Sequence, residues 1–119
     1  MTKITRIKIK RVYDSPCNDD GFRILVDRLW PRGINKTNAQ IDFWAKELAT
    51  TISLRKWFNH EEQKFSEFRS RYLEELAIKH EVAQKIINQS TNKTITLLFA
   101  AKDRLHNQAV VLQSFLSKI

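Results

Sequence analysis

The chain has 119 residues, 42% hydrophobic and 29% charged, with a formal net charge of +8. That length suits one domain, residues 1–119, able to bury a core without staples, and the lone cysteine, Cys17, excludes an internal disulfide. No apolar run reaches the ~20 residues of a membrane span, so no membrane partner is expected, and the basic balance favours anionic partners such as phosphorylated metabolites, nucleotides or nucleic acid.

The residues from Met1 to Arg6 alternate in polarity without the apolar stretch of a signal peptide, which gives a cytoplasmic expectation. Alternation continues over residues 4–13, with Ile7 and Ile9 opposite Lys8, Lys10 and Val12, the pattern of a half-exposed edge strand guarded by lysines. Pro16 and Gly21 then precede, and Pro31 and Gly33 follow, an apolar run from Phe22 to Trp30 that reads as a buried strand. Thr37 with Gln40 resembles a capping box opening a helix over 38–49, where Ile41, Trp44, Ala45 and Leu48 share a face. Ser53 is placed to cap a short turn, Leu54 to Phe58, and Asn59 with Glu62 marks the next helix start. Phe65, Phe68, Tyr72 and Leu76 recur at helical spacing, with a break near His80 and further helix over 81–89. Thr94 to Ala100 is the most apolar strand and the central one, and residues 105–117 form a last amphipathic helix.

About sixty residues of helix between the second and third strands make those two parallel. The short link between the first and second strands favours a hairpin. The sum is an α/β fold: a small mixed, partly parallel sheet of about three main strands, in two or three layers with four to five helices.

In open α/β sheets ligands bind beyond the carboxyl ends of the strands. Applied here, the rule gathers Asp27, Arg28, Trp30, Arg32 and Lys36 from the second strand's exit with Asp103, His106 and Asn107 from the third's. Arg28, Arg32 and Lys36 suit a phosphate or carboxylate. Asp27 and His106 are the acid–base candidates, with Asp103 and Asn107 to orient and Trp30 to stack. His106 and Asn107 fall in the first turn of the last helix, whose free N–H groups favour an anion. The same residues also serve as ion pairs, caps and core. The expectation is an enzyme or binding domain for a phosphate-bearing small molecule or nucleotide. The rivals are a nucleic-acid module using the basic strand with Arg55, Lys56, Arg69 and Arg71, and a protein-interaction domain without chemistry. His60, His80 and His106 lack paired ligand spacing, and no Gly-rich phosphate loop is present, so no metal and no cofactor is expected.

The stretch from Asp20 to Gly33, containing Val26-Asp27-Arg28-Leu29-Trp30-Pro31-Arg32-Gly33, resembles the YeaO-like branch of the domain-of-unknown-function 488 family. So do Arg11 to Asp14, Leu54 to Phe58 with His60, Phe68 with Arg71-Tyr72, and Leu97 to Asn107 with Ala109. The likeness runs along nearly the whole chain; Thr50-Thr51-Ile52-Ser53 departs from the family's proline-containing junction. It implies a small bacterial or archaeal protein without a settled activity. The broader family has an Asp-x-Arg after a strand, similar to Asp27 onward, and a Cys-His-Arg where this chain has Leu105-His106-Asn107. The resemblance thus implies the same sheet edge, without thiol chemistry.

Overall fold

A computed structural model describes residues 6–90 and 94–119. In chain order the elements are β1 (Arg6–Arg11), β2 (Phe22–Leu25), β3 (Phe43–Trp44), α1 (Ile52–Phe58), α2 (Phe65–Ala77), α3 (His80–Asn88), β4 (Thr94–Phe99) and α4 (Gln108–Leu116). Short 3-10 turns occupy Asn18–Asp20, Lys46–Leu48 and Glu62–Lys64. The strands lie in the order β1-β4-β2-β3, and every pairing is parallel. The α/β class, a small sheet packed with four helices among the described residues, is as expected.

Strand alternation sorts the side chains onto two faces. Ile7 and Ile9 of β1, Ile24 of β2 with Val26 beyond it, and Ile95, Leu97 and Phe99 of β4 turn to the helices. There they meet Leu54, Phe58, Phe68, Tyr72, Leu76, Ala83, Ile86, Ala109, Val111 and Leu112. The opposite face is closed by a smaller cluster of Val12, Leu25, Ala39, Ile41 and Leu98, supplied partly by the loop after β2.

The hairpin expected between the first two strands is not formed. β4 lies between β1 and β2 and pairs with both in parallel. The connection 12–21 has reach for this, because extended chain spans about 3.3 Å per residue. It returns along the sheet and re-enters at Gly21, where φ is +65° and an added Cβ would stand 2.2 Å from the Thr94 carbonyl oxygen. Only glycine fits there.

The lysines of β1 are not solvent guards. The Lys8 ammonium lies 2.8 Å, and the Lys10 ammonium 3.1 Å, from the carboxylate of buried Asp20. The Asp20 carboxylate also accepts from the Cys17 N–H and the Arg23 guanidinium. Burial pushes the Asp20 carboxyl up, yet the donors from Lys8, Cys17, Lys10 and Arg23 together outweigh it and hold the group well below the usual range. Residues 4 and 5 of the expected first strand lie outside the described residues.

Nor is there a helix over 38–49. The Asn35 side-chain oxygen accepts from the N–H groups of Thr37 and Asn38, Gln40 adopts φ 50°, and the chain goes on to β3. Buried Arg23 drives this outcome, since its guanidinium donates to the carbonyls of Ala39 and Gln40, which a helix would use internally. Two local details also differ. Thr51, not Ser53, caps α1, with its hydroxyl oxygen accepting from the Leu54 N–H at 3.2 Å. α4 begins at Gln108, so Asn107 is its cap and His106 precedes it, rather than both lying in its first turn.

Candidate functional site

Parallel pairing of β2 with β4 brings both strand exits to one edge of the sheet. The pairing runs one step past β2, with the Val26 N–H donating to the Leu98 carbonyl at 3.0 Å. The next residue, Asp27, ties the two exit loops together. One of its carboxylate oxygens accepts from the Ala100 N–H at 3.0 Å and the other from the Gln108 amide. Its carbonyl accepts from the Trp44 indole at 2.8 Å. The loop from β4 is braced from beneath by Arg11, which donates to the carbonyls of Ala100 and Ala101 at 3.0 and 2.9 Å. The loop from β2 is held by the Trp30 indole donating to the Ile34 carbonyl, by the edge-on contact of Trp30 with Trp44, and by the Tyr13 hydroxyl donating to the Arg32 carbonyl.

Between these loops and α1 opens a cleft of about 720 Å³. Residues 27–32 line one side and 100–103 another. Arg55, Phe58 and His60 enter from α1 and the turn after it, Phe68 from α2, and Gln108 from α4. The cations Arg28, Arg32, Arg55 and Lys102 are among its lining residues. The side chains of Arg28, Arg32 and Lys102 make no hydrogen bond or ion pair within the protein among the described residues.

Among the cleft residues, Asp27 is the group most altered by its setting. Burial pushes its carboxyl up to about 6, and the Ala100 N–H, the Arg55 charge and the Gln108 amide only partly offset that. Asp103 differs: the Leu105 N–H, and beyond it the backbone and ring of His106, hold its carboxyl below the usual range although burial opposes them.

Of the residues singled out in the sequence, Asp27, Arg28, Trp30, Arg32 and Asp103 line the cleft together. Lys36 is exposed and not part of its lining. Asn107 is buried as a helix cap, its side-chain oxygen accepting from the Val110 N–H at 3.2 Å and its amide donating to the Asp103 carbonyl at 2.9 Å. His106 faces a shallower hollow with Glu62, Gln63, Phe65, Ser66 and Arg69. There its Nδ1 is 2.9 Å from Asp103, its Nε2 is 3.7 Å from Glu62, and its ring meets Phe65 edge-on. Asp27 and His106 therefore line different hollows and do not form a pair. Glu62, Asp103 and His106 bring ligand atoms within 4.8 Å of one another, a grouping that chain spacing did not reveal.

Arg55, His60, Phe58 and Gln108 are cleft residues that the strand-end rule missed, because α1, the turn after it and α4, not strand exits, deliver them. The Leu54 to Phe58 run with His60 was the available signal, and it reads equally as core and surface charge.

A family model described as the inactive DUF488-N3 subclade matches residues 6–119. The chain is 42% identical over 113 residues to the uncharacterized protein YeaO of Escherichia coli, covering 95% of this chain and 98% of that one. It is 36% identical over 118 residues to the uncharacterized protein Rv3073c of Mycobacterium tuberculosis and, to the same extent, to Mb3100c of Mycobacterium bovis, covering 98% of each chain. No solved structure matches.

Proposed function

The chain belongs to the inactive DUF488-N3 subclade, and from that premise we propose that it is a binding domain for a phosphate-bearing small molecule or nucleotide, held beyond the carboxyl ends of β2 and β4. The observation that carries this reading is the cleft that Arg28, Arg32, Arg55 and Lys102 line, three of them without a partner in the protein among the described residues. Four cations set against only two carboxylates, Asp27 and Asp103, leave an excess of positive charge that favours an anion among them. Guanidinium groups also present the fork that phosphate oxygens accept from in pairs. The cleft is within the size range of small-molecule sites, and its apolar walls, Phe58, Phe68 and Pro31 with half-exposed Trp30, suit a flat organic group beside the phosphate.

Binding is favoured over catalysis on two grounds. The subclade is described as inactive, and the acid–base candidates Asp27 and His106 lie in different hollows. The nucleic-acid reading draws less support, because Lys8 and Lys10 are engaged by Asp20, Arg71 pairs with Glu67, and Arg55 turns into the cleft.

Isothermal titration with inorganic phosphate, phenyl phosphate and the four nucleoside 5′-monophosphates tests the proposal. At least one is expected to bind with Kd below ~1 mM. Arg28→Ala and Arg32→Ala are each expected to weaken it about 10-fold or more, since a hydrogen bond to a charged group contributes ~1.5–3 kcal/mol. A folded wild-type protein that binds none of the six would overturn the reading. Binding only to oligonucleotides, with a steep salt dependence, would replace it by the nucleic-acid module.

A further inference from the structure

His60 stands on one wall of this cleft, on an unusual stretch of backbone. α1 ends at Phe58, and both Asn59 (φ 47°) and His60 (φ 57°) are left-handed. Adjacent left-handed residues carrying a Cβ are strained, asparagine and histidine less so than most. Glycine would make the same turn freely, so the turn does not call for a histidine. Packing does not call for it either. The residue is exposed, its ring approaches Phe58 only at 6.4 Å between centroids, and its nitrogens hold no hydrogen bond or ion pair among the described residues. An imidazole is thus presented to the cleft with its polar atoms uncommitted.

The charges around it narrow the choice of ligand. Arg28, Arg32, Arg55 and Lys102 face the cleft against the carboxylates of Asp27 and Asp103, an excess of two positive charges. Asp103 accepts from the N–H groups of Leu105 and His106 and from the His106 ring, so much of its accepting capacity is used within its own loop, and no cleft arginine pairs with it among the described residues. A terminal phosphate monoester carries about −1.5 to −2 at neutral pH, whereas a diester or a carboxylate carries a single charge. The monoester also offers three oxygens, enough for two guanidiniums and an imidazole together.

We infer that His60 is a ligand contact that donates to a terminal phosphate monoester, so that the cleft selects monoesters over diesters of the same organic group. This inference rests on the binding reading above and adds the class of phosphate and the residue that distinguishes it.

The test uses the 5′-monophosphate that the full chain binds best and the 3′,5′-cyclic diester of the same nucleoside. Wild type is expected to bind the monoester at least ~10-fold more tightly. His60→Gly keeps the turn and removes the ring. It is expected to weaken monoester binding ~10-fold while the diester changes less than ~2-fold, and His60→Gln, which retains a donor, is expected to recover part of the difference. In long-range proton–nitrogen spectra of the wild type, the His60 ring is expected to shift on monoester addition, with His80 and His106 unmoved. Equal affinity for monoester and diester in the wild type would overturn the inference while leaving the binding reading intact. So would unchanged monoester affinity in a folded His60→Gly, or a silent His60 ring. A wild type that binds no phosphate at all would overturn the binding reading itself, and this inference with it.

Discussion

Asp27→Asn separates what the cleft holds from what the fold prefers. The Asp27 carboxyl rises from an ordinary 3.8 to about 6, because burial disfavours its charge more than the Ala100 N–H, Arg55 and Gln108 favour it. One pK unit is about 1.4 kcal/mol, so this displacement corresponds to at most about 3 kcal/mol. Its direction follows from which state gives up the proton first. Below pH ~4 the carboxyl is protonated in both states and no penalty exists. Between there and pH ~6 the unfolded chain releases its proton while the folded chain keeps it, and stability falls as pH rises. Above the folded value the whole penalty stands. Asparagine is nearly isosteric and never charged, so it escapes this loss. It keeps one acceptor oxygen for either the Ala100 N–H or the Gln108 amide, and the forfeited hydrogen bond takes back about 1 kcal/mol. The variant is therefore expected to exceed wild type by about 1–2 kcal/mol at pH 8, and to match or fall slightly below it at pH 4. Urea unfolding of both proteins from pH 4 to pH 8 reads this directly. A difference that stays flat across that range, or an Asp27→Asn protein less stable than wild type at pH 8, would refute the reasoning.

Asp20 predicts the opposite behaviour. Its folded carboxyl is depressed, so its contribution is fully present above the ordinary carboxylate value and is lost only as pH falls through the folded one; Asp20→Ala, which leaves buried Arg23 unpaired, is expected to cost about 3–5 kcal/mol in chemical denaturation at pH 7, and a loss under ~1 kcal/mol would contradict the buried pair. Gly21→Ala puts a methyl group 2.2 Å from the Thr94 carbonyl at a positive φ, and is expected to lower stability by well over ~1 kcal/mol; a thermal melt indistinguishable from wild type would show that the chain can enter β2 another way.

What the sequence revealed was local, and what it concealed was long-range. β1, β2 and β4 were legible because period-2 burial is written into Ile7, Ile9, Ile24, Ile95 and Leu97 themselves. α2 was legible because Phe68, Tyr72 and Leu76 must share a buried face. The false helix over 38–49 had a genuine helical pattern, overridden by a guanidinium from residue 23 that claims its carbonyls. The false hairpin was an argument from loop length, and no feature near residues 12–21 announces that a strand from residue 94 onward will slot between β1 and β2. The site divides in the same way. Asp27, Arg28, Trp30, Arg32 and Asp103 follow from strand polarity alone. Arg55 arrives on a helix, and His60 on the turn after it, whose placement is tertiary. His106 and Asn107 are turned away because Asp103 folds the loop after β4 onto itself, its carboxylate accepting from two following N–H groups and its carbonyl from the Asn107 amide.

The two carboxylates that flank β2, buried Asp20 and half-buried Asp27, explain why the cleft, rather than the charged network on the opposite face, is the place to look for a ligand. Around Asp20 every charge is answered: two lysines, an arginine and a backbone N–H converge on it, and the result is a closed network under the connection 12–21. Such a network has no vacancy to offer an anion, because its cations are already spent on protein. Around Asp27 the match fails in both directions. The carboxylate sits in surroundings that resist its charge, while Arg28, Arg32 and Lys102 beside it have no partner in the protein among the described residues. A solvated cation can stand alone at a surface, but four of them lining one cleft against two carboxylates leave it an excess of positive charge. An anion bearing a hydrogen-bond donor would serve both at once, its phosphate among the arginines and its donor toward Asp27, and that complementarity is what the binding reading supplies.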